Sequence, residues 1–320
     1  MKPVASAGSS VDSPPSNRVD DPLSIAHRGF AGTYPENTHA AMRAATGALG
    51  DAATTTADAT TTAAQQAAVR QADGVEIDVV PCETGELVVF HDARLGRLTD
   101  APGTAGTSGD QPIWETPFER LRELEVLNTG ETVPLLAELL DTIPADVPVH
   151  VEFKRPGTAP ARTYRELTDA KRERYDRGWE AFAERFVRLI DGFDHDVVCT
   201  SSFEGALRAL AEYAPDLPAG YLIWDSVEHG LAVTDRYDCE LICPPRTAIA
   251  GTSFFNDAYD EIPAGAFADR DLLAIAHERG REVYAWTIDT PQQASELRAA
   301  GVDGLLCDFP GLLGGDAVAA

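Results

Sequence analysis

The sequence is poor in positive charge, and lysine is almost missing from it. Its 26 Lys and Arg stand against 52 Asp and Glu, a formal net charge of −26, and the lysines are Lys2, Lys154 and Lys171. A chain of this charge repels nucleic acid and anionic membrane surfaces. Strong acidity with little lysine is typical of proteins that stay soluble in high salt. We interpret the chain as a cytoplasmic protein of a halophile, such as an archaeon; an ordinary acidic protein is the alternative.

Long apolar runs and paired cysteines are missing as well. No stretch of about 18 apolar residues occurs, which predicts no membrane-spanning helix, and the N-terminus lacks the apolar region of a secretory signal. The five cysteines form no CxxC pair, and their odd number argues against a disulfide framework. We therefore predict buried cysteines. Residues 1–20 are predicted to be a disordered tail before one domain over residues 21–315.

Short apolar runs alternate with helical patterns over most of the chain. This alternation indicates βα units around a parallel sheet, and the length suits a single, slightly irregular (β/α)8 barrel of the TIM type. About six residues separate the runs 75–80 and 87–90, whereas a parallel crossover needs a dozen or more, so a hairpin is expected there. One strand candidate is then accessory, and the sequence leaves open which one. The candidates are 23–27, 75–80, 87–90, 149–153, 197–200, 221–224, 241–243, 283–288 and 304–307.

Residues 50–66 interrupt this pattern with a low-complexity stretch of alanine and threonine. The stretch fits either a loop or an extension of the first helix. Because threonine has a low helix propensity, we favour a flexible insertion in the barrel.

Polar side chains follow directly where two of the apolar runs end. His27 and Arg28 come after the first run, and His91 and Asp92 come after the run 87–90. In TIM barrels the C-terminal ends of the strands hold the active site. Arg28 suits a phosphate, because its planar fork donates two parallel hydrogen bonds. Taken alone, His27 is better explained as a structural strand-end histidine, and Asp92 either orients His91 or belongs to a loop.

Carboxylates alternate with apolar residues on two other runs. Glu76 and Asp78 are two residues apart and point to one face of their strand, as do Glu152 and Lys154 on theirs. Carboxylates that converge inside a barrel mouth repel each other unless a cation neutralises them. The pattern therefore predicts a metal site, with a solvated edge-strand face as the alternative. On the run 283–288, Trp286 suits either the floor of a substrate pocket or the core.

These residues together suit the hydrolysis of a phosphodiester. A hard cation takes oxygen ligands and offsets the charge of the phosphate. One imidazole can accept a proton from the attacking hydroxyl while the other donates a proton to the leaving alcohol.

The order of the motifs resembles the glycerophosphodiester phosphodiesterase family from about Leu23 to Leu313. HRG with PENT, ExD, an apolar run ending in His-Asp, ExK, and WT followed by GVDGLLCDFP occur in this order. The resemblance implies metal-dependent hydrolysis of glycerophosphodiesters to glycerol phosphate and an alcohol, through a cyclic phosphate. It implies His27 and His91 as the acid/base pair, Glu76, Asp78 and Glu152 as ligands of Mg²⁺ or Ca²⁺, Arg28 and Lys154 as phosphate contacts, Trp286 on the glycerol side, and Glu36 as a possible further metal contact.

Two other functions stay open on the sequence. A phosphodiesterase of the same fold that acts on lysophospholipids or phosphoinositides would need an apolar lid or lipid-binding surface, and we find neither in the sequence. A non-catalytic metal-binding barrel would lack one of the histidines or acids, and all of them are present. The predicted partner is therefore a small-molecule phosphodiester, without nucleic acid or stable membrane association.

Overall fold

The computed structural model describes residues 21–47, 71–101, 111–157, 162–224, 226–267 and 270–313. The predicted tail at 1–20 and the Ala/Thr stretch at 50–66 lie outside the described residues. Within these ranges nine strands form one sheet, and eight of them are parallel and close into a barrel, since the first strand pairs with both the second and the last. This confirms the predicted (β/α)8 barrel. The strands are β1 Leu23–Ala26, β2 Gly74–Pro81, β3 Leu87–Val89, β4 Val149–Phe153, β5 Val197–Ser201, β6 Ala219–Leu222, β7 Leu241–Cys243, β8 Glu282–Ile288 and β9 Gly304–Cys307.

The strand outside the barrel is β3. It runs antiparallel to β2 and sets Val89 opposite Val79, which confirms the hairpin and identifies the accessory strand. The residues after β3 pack into a small apolar cluster of their own, separate from the main core. We call residues 87–101 and 111–133 the accessory segment. Its cluster includes Val88, Phe90, Leu95, Leu98, Ile113, Phe118, Leu121, Leu124, Val126 and Val133.

Helices connect the strands and cover the outside of the barrel. The helical patterns of the sequence, at 38–48, 117–125, 134–142, 169–191, 204–213, 269–279 and 291–299, predict most of them. They leave out α6, in which Gly230 has a low helix propensity. A Cβ at this position would lie 2.5 Å from Ile223 Cδ1, so glycine lets the helix approach the barrel closely. The helices are α1 His39–Thr46, α2 Phe118–Leu121, α3 Leu136–Leu140, α4 Asp169–Ile190, α5 Glu204–Tyr213, α6 Val227–Arg236, α7 Leu272–Glu278 and α8 Pro291–Ala300.

The alternation of side chains along β4 decides which residues face the barrel interior. Phe153 stacks on Phe182 of α4 with 4.4 Å between ring centroids, so this side of the strand faces the helices. Glu152 and Lys154, its neighbours in the chain, therefore point inward. The parallel register with β2 sets Asp78 beside Glu152. The barrel thus brings charged residues of two strands together at its centre.

The structure agrees with two further features of the sequence. All five cysteines are buried, as predicted. Among the described residues, no helix combines the length and the apolar character needed to cross a membrane.

Candidate active site

Three buried carboxylates meet inside the mouth of the barrel. The oxygens that Glu76, Asp78 and Glu152 offer as ligands all lie within 4.8 Å of one another. The first two side chains come from β2 and the third from β4. The three residues that strand alternation predicts to converge therefore do so in the structure.

Two cationic side chains stand among these carboxylates. Lys154 Nζ lies 2.9 Å from Asp78 Oδ1 and 2.8 Å from Glu152 Oε1. Arg28 Nε lies 3.2 Å from Asp78 Oδ2, and the backbone N–H of Arg28 donates to Glu76 Oε2 at 3.0 Å. Both cations therefore offset part of the negative charge of the carboxylate cluster, and their contact with phosphate stays a prediction.

The surroundings shift the pKa values of Glu76 and Asp78 in opposite directions. Burial, and then the negative charges of Asp78 and Glu152, raise the pKa of Glu76 well above its usual value. Burial alone would also raise the pKa of Asp78, but Lys154 and Arg28 hold it well below its usual value. Three buried carboxylates beside two cations leave Glu76 under like-charge repulsion. A divalent cation with oxygen ligands fits this donor set, because it would relieve the repulsion.

A tight turn at His27–Gly29 directs two site residues to the mouth. Arg28 and Gly29 both have positive φ angles, 51° and 77°. A Cβ on Gly29 would lie 2.7 Å from the Cβ of Ala41 in α1, so only glycine fits there. The HRG motif is thus a backbone requirement as well as a source of functional side chains.

The PENT segment supports the site from the side. Asn37 donates from Nδ2 to Asp78 Oδ2 at 2.8 Å and accepts from the backbone N–H of Asp78 at 3.2 Å. Both oxygens of Glu36 accept hydrogen bonds from guanidinium groups, one from Arg28 and two from Arg97, each at 3.0 Å. Glu36 therefore anchors two arginines, and a metal contact from it would compete with these hydrogen bonds.

Each of the two predicted catalytic histidines is paired with an aspartate. His27 Nδ1 lies 2.6 Å from Asp308 Oδ1, and His91 Nδ1 lies 2.7 Å from Asp92 Oδ1. A carboxylate at Nδ1 holds a proton there and leaves Nε2 to exchange a proton with substrate. Asp308 is a residue that the sequence analysis missed. An acid directly after the last strand was the available signal.

Arg97 binds the aspartate of the second pair. Its Nε and Nη2 donate to Asp92 Oδ2 and Oδ1, both at 2.7 Å, while the same guanidinium reaches Glu36. Burial by itself would raise the pKa of Asp92, but hydrogen bonds from His91 and Arg97 lower it. Burial and the charge of Lys154 lower the pKa of His91. Arg97 thus joins the accessory segment to the barrel at the site.

A cavity of about 620 Å³ opens above these groups. Six of the predicted site residues line it, while Glu76, Asp78 and Glu36 lie outside its lining. Trp286 is only 7 % exposed, and its Nε1 donates to the carbonyl oxygen of Cys243 at 2.8 Å, so it is mostly buried and also forms part of the cavity wall. The six that line it are His27, Arg28, His91, Glu152, Lys154 and Trp286.

Comparison with known protein families shows which family the chain belongs to. The model of the glycerophosphoryl diester phosphodiesterase family matches residues 47–312. The chain belongs to this family. It is therefore an enzyme, a phosphoric diester hydrolase that acts on glycerophosphodiesters. The match begins after the HRG and PENT motifs.

Individual relatives of the family match over nearly their whole length. A glycerophosphodiester phosphodiesterase of Caldanaerobacter subterraneus subsp. tengcongensis is 27 % identical, with 90 % of this chain and 94 % of the relative aligned. Another, from Bacillus altitudinis, is 24 % identical over 89 % of this chain and 94 % of its own. A solved phosphodiesterase of Oleispira antarctica, in complex with the product sn-glycerol-3-phosphate, has a TM-score of 0.63 at 24 % identity, covering 91 % and 94 % of the two chains. This likeness shows the shared fold.

Proposed function

We propose that the chain hydrolyses glycerophosphodiesters with His27 and His91 as its proton-transfer groups and a divalent cation at Glu76, Asp78 and Glu152. The observation that supports this most is the position of the two histidine–aspartate pairs beside one cluster of buried carboxylates. Family membership supports the reaction, and the glycerol phosphate product bound by the Oleispira antarctica relative fits it.

The reaction that we propose has two steps. In the first, the glycerol hydroxyl next to the phosphate bonds to phosphorus and gives its proton to one imidazole, while the other imidazole protonates the departing alcohol oxygen. In the second, water opens the cyclic phosphate, and the histidines exchange the same protons in the opposite sense. Arg28 and Lys154 hold the phosphate, and Trp286 contacts the glycerol. A bound cation would supply additional positive charge to the phosphate oxygens.

We propose Mg²⁺ or Ca²⁺ as the cation, because both prefer carboxylate oxygens. A panel of glycerophosphodiesters, together with a lysophospholipid, tests the reaction and the cation at once. Treatment with EDTA should abolish release of glycerol phosphate, and adding back either ion should restore it. Activity that survives EDTA and dialysis would contradict the metal site, and turnover of the lysophospholipid alone would replace the proposed substrate class.

We also propose that residues 21–315 form one catalytic domain, to which the tail at residues 1–20 adds nothing essential. The acidic composition and the buried cysteines support a salt-rich cytoplasm as its setting. A chain that begins at residue 21 should keep its activity, and its unfolding midpoint should rise from dilute buffer to molar KCl. A midpoint independent of salt would contradict the halophilic setting.

A further inference from the structure

The cavity has more room than a phosphate and a glycerol require. Its volume of about 620 Å³ lies in the range of sites that enclose drug-sized ligands. Between the accessory segment and the loop after β6, its wall is formed by Trp114, Arg155, Arg162 and Trp224. We call these four residues the arginine wall. None of them is among the residues proposed above to hold the phosphate, the cation or the glycerol.

The two arginines of this wall have few carboxylate partners. Arg155 makes no ion pair with any residue in the described ranges. Among the described side chains, Arg162 pairs only with Glu261, at 4.0 Å, and the side chain of Glu261 is 79 % exposed. Such a pair is weak, because water screens it. In a chain with twice as many acids as bases, two arginines beside the active site without a firm acidic partner favour an anion from outside the protein.

The aromatic rings of the wall are already in contact with cations. The Arg162 guanidinium lies 4.1 Å from the ring centroid of Trp224, and that of Arg155 lies 5.5 Å from the ring of Trp114. Across the cavity, the Tyr259 ring has Arg246 at 4.1 Å. A quaternary ammonium group needs a free aromatic face. A cationic alcohol such as choline would instead meet guanidinium groups here.

Besides Asp92 and Glu152, which are paired with His91 and Lys154, two acidic residues line the cavity, and both stand on its rim. Asp260 and Glu261 are both exposed to solvent and belong to the segment before β8. Water screens their charges more than it screens those of a half-buried guanidinium. The inner wall beside the phosphate site is therefore the more positive of the two.

We propose that the arginine wall binds the alcohol substituent and selects glycerophosphodiesters whose alcohol carries a further negative charge, a phosphate monoester or a carboxylate. The proposal rests on the proposed function, because it concerns the same cavity. The net charge of −26 repels such substrates from the outer surface, and the two arginines give the local attraction that holds them once they enter.

Measurement of kcat/KM for four glycerophosphodiesters at one salt concentration tests this selection. Their alcohols are glycerol, which is neutral, choline, which is cationic, glycerol phosphate, which carries a phosphate, and glycerate, which carries a carboxylate. We expect kcat/KM for the phosphate-bearing alcohol to exceed that for glycerol by roughly tenfold or more, and choline to be the poorest. We also expect the glycerate diester to exceed the glycerol diester, and the proposal is overturned if neither anionic alcohol is preferred to glycerol.

The double variant Arg155→Gln, Arg162→Gln should lower the ratio of kcat/KM for the phosphate-bearing alcohol to that for glycerol by roughly tenfold. Double substitution by Lys keeps the charges and should retain most of the ratio. Arg177→Gln, which removes an equal charge from an exposed pair with Glu173 on α4, is the matched control and should leave the ratio unchanged.

The outcomes separate this proposal from the one on which it rests. Turnover of the neutral substrate with an unchanged ratio in the double variant would overturn the selection and leave the phosphodiesterase activity standing. A preference of the wild type for choline would overturn the selection too. If none of the four diesters is hydrolysed with cation present, the proposed function fails, and the selection with it.

Discussion

The two histidine–aspartate pairs of the site are built by the chain in different ways. His91 and Asp92 are neighbours in sequence at the start of the accessory segment. His27 and Asp308 are 281 positions apart and meet because β9 pairs with β1 when the barrel closes. The first pair is a local feature, whereas the second exists only in the folded barrel. Both histidines act in each step of the proposed reaction, so each step would depend on the loop and on the closure of the sheet.

The pairs also differ in what holds the aspartate. Asp92 accepts from one edge of the Arg97 guanidinium, Nε and Nη2, and the other edge, Nη1 and Nη2, donates to Glu36. Asp308 has no ion pair other than His27 within the described residues. We infer that the barrel strands themselves hold Asp308 in place. Asp92, on the accessory segment, is held by the hydrogen bonds of Arg97 to Asp92 and Glu36, which we call the Arg97 clamp.

Removal of either imidazole should have the largest effect. His27→Ala and His91→Ala should each lower kcat by roughly 10²–10⁴-fold, because each removes a proton-transfer group. Steady-state kinetics on a glycerophosphodiester, with circular dichroism to check folding, measures this. If one variant keeps nearly full activity, that histidine is not a proton-transfer group, and the two pairs are not equivalent.

Removal of the aspartate charge should have a smaller effect and should separate the pairs. Asp308→Asn and Asp92→Asn each keep an oxygen near Nδ1 but lose the charge that orients the ring, and each should lower kcat by roughly 10–10²-fold. We expect the larger loss for Asp308, because Arg97 already offsets part of the charge of Asp92. A larger loss for Asp92→Asn would reverse the order of the two pairs.

The sequence predicts the local parts of the site better than the parts that form when the barrel closes. Alternation on β2 and β4 places Glu76, Asp78 and Glu152 together, because side chains on one strand face are fixed by period two. The local pair at His91 was also within reach of the sequence. For Asp308 the sequence offers an acid directly after the last strand but not its partner, since the pairing with His27 is set by the closure of the barrel and no short-range pattern encodes which strand lies beside the first.

The structural details that the sequence left open have similar causes. Strand β3 could be identified as accessory only through its antiparallel pairing with β2. Helix α6 was missed because Gly230 has a low helix propensity. Its lack of a side chain instead allows a close contact with Ile223. Glu36 was placed near the metal by motif alone, but its partners Arg28 and Arg97 are decided by three-dimensional packing.

Loss of the clamp should weaken only one pair. Arg97→Met keeps much of the side chain's length and removes its five donors, so Asp92 and Glu36 lose their shared partner. We expect kcat to fall by roughly 3–30-fold with little change in KM, and Arg97→Lys to restore part of the loss. An equal fall in thermal stability for Met and Lys, with kcat unchanged in both, would show that Arg97 supports the fold alone.

Salt should act on the two pairs unequally and gives the smallest of these effects. The Arg97 side chain is 52 % exposed, whereas His27 and Asp308 are 11 % and 24 % exposed. At about 1 M salt the screening length is only about 3 Å, so the ionic part of the Arg97 clamp weakens while the more buried pair keeps its interaction. The fall in kcat caused by Arg97→Met should therefore shrink by roughly two- to threefold between about 0.1 M and 1 M KCl, and that caused by Asp308→Asn should not change.

Each variant is compared with wild type at the same salt concentration, which cancels the effect of screening on the net charge of −26. If the losses of kcat caused by Arg97→Met and Asp308→Asn change in parallel with salt, solvent screens both interactions equally. The distinction between the two pairs would then not hold.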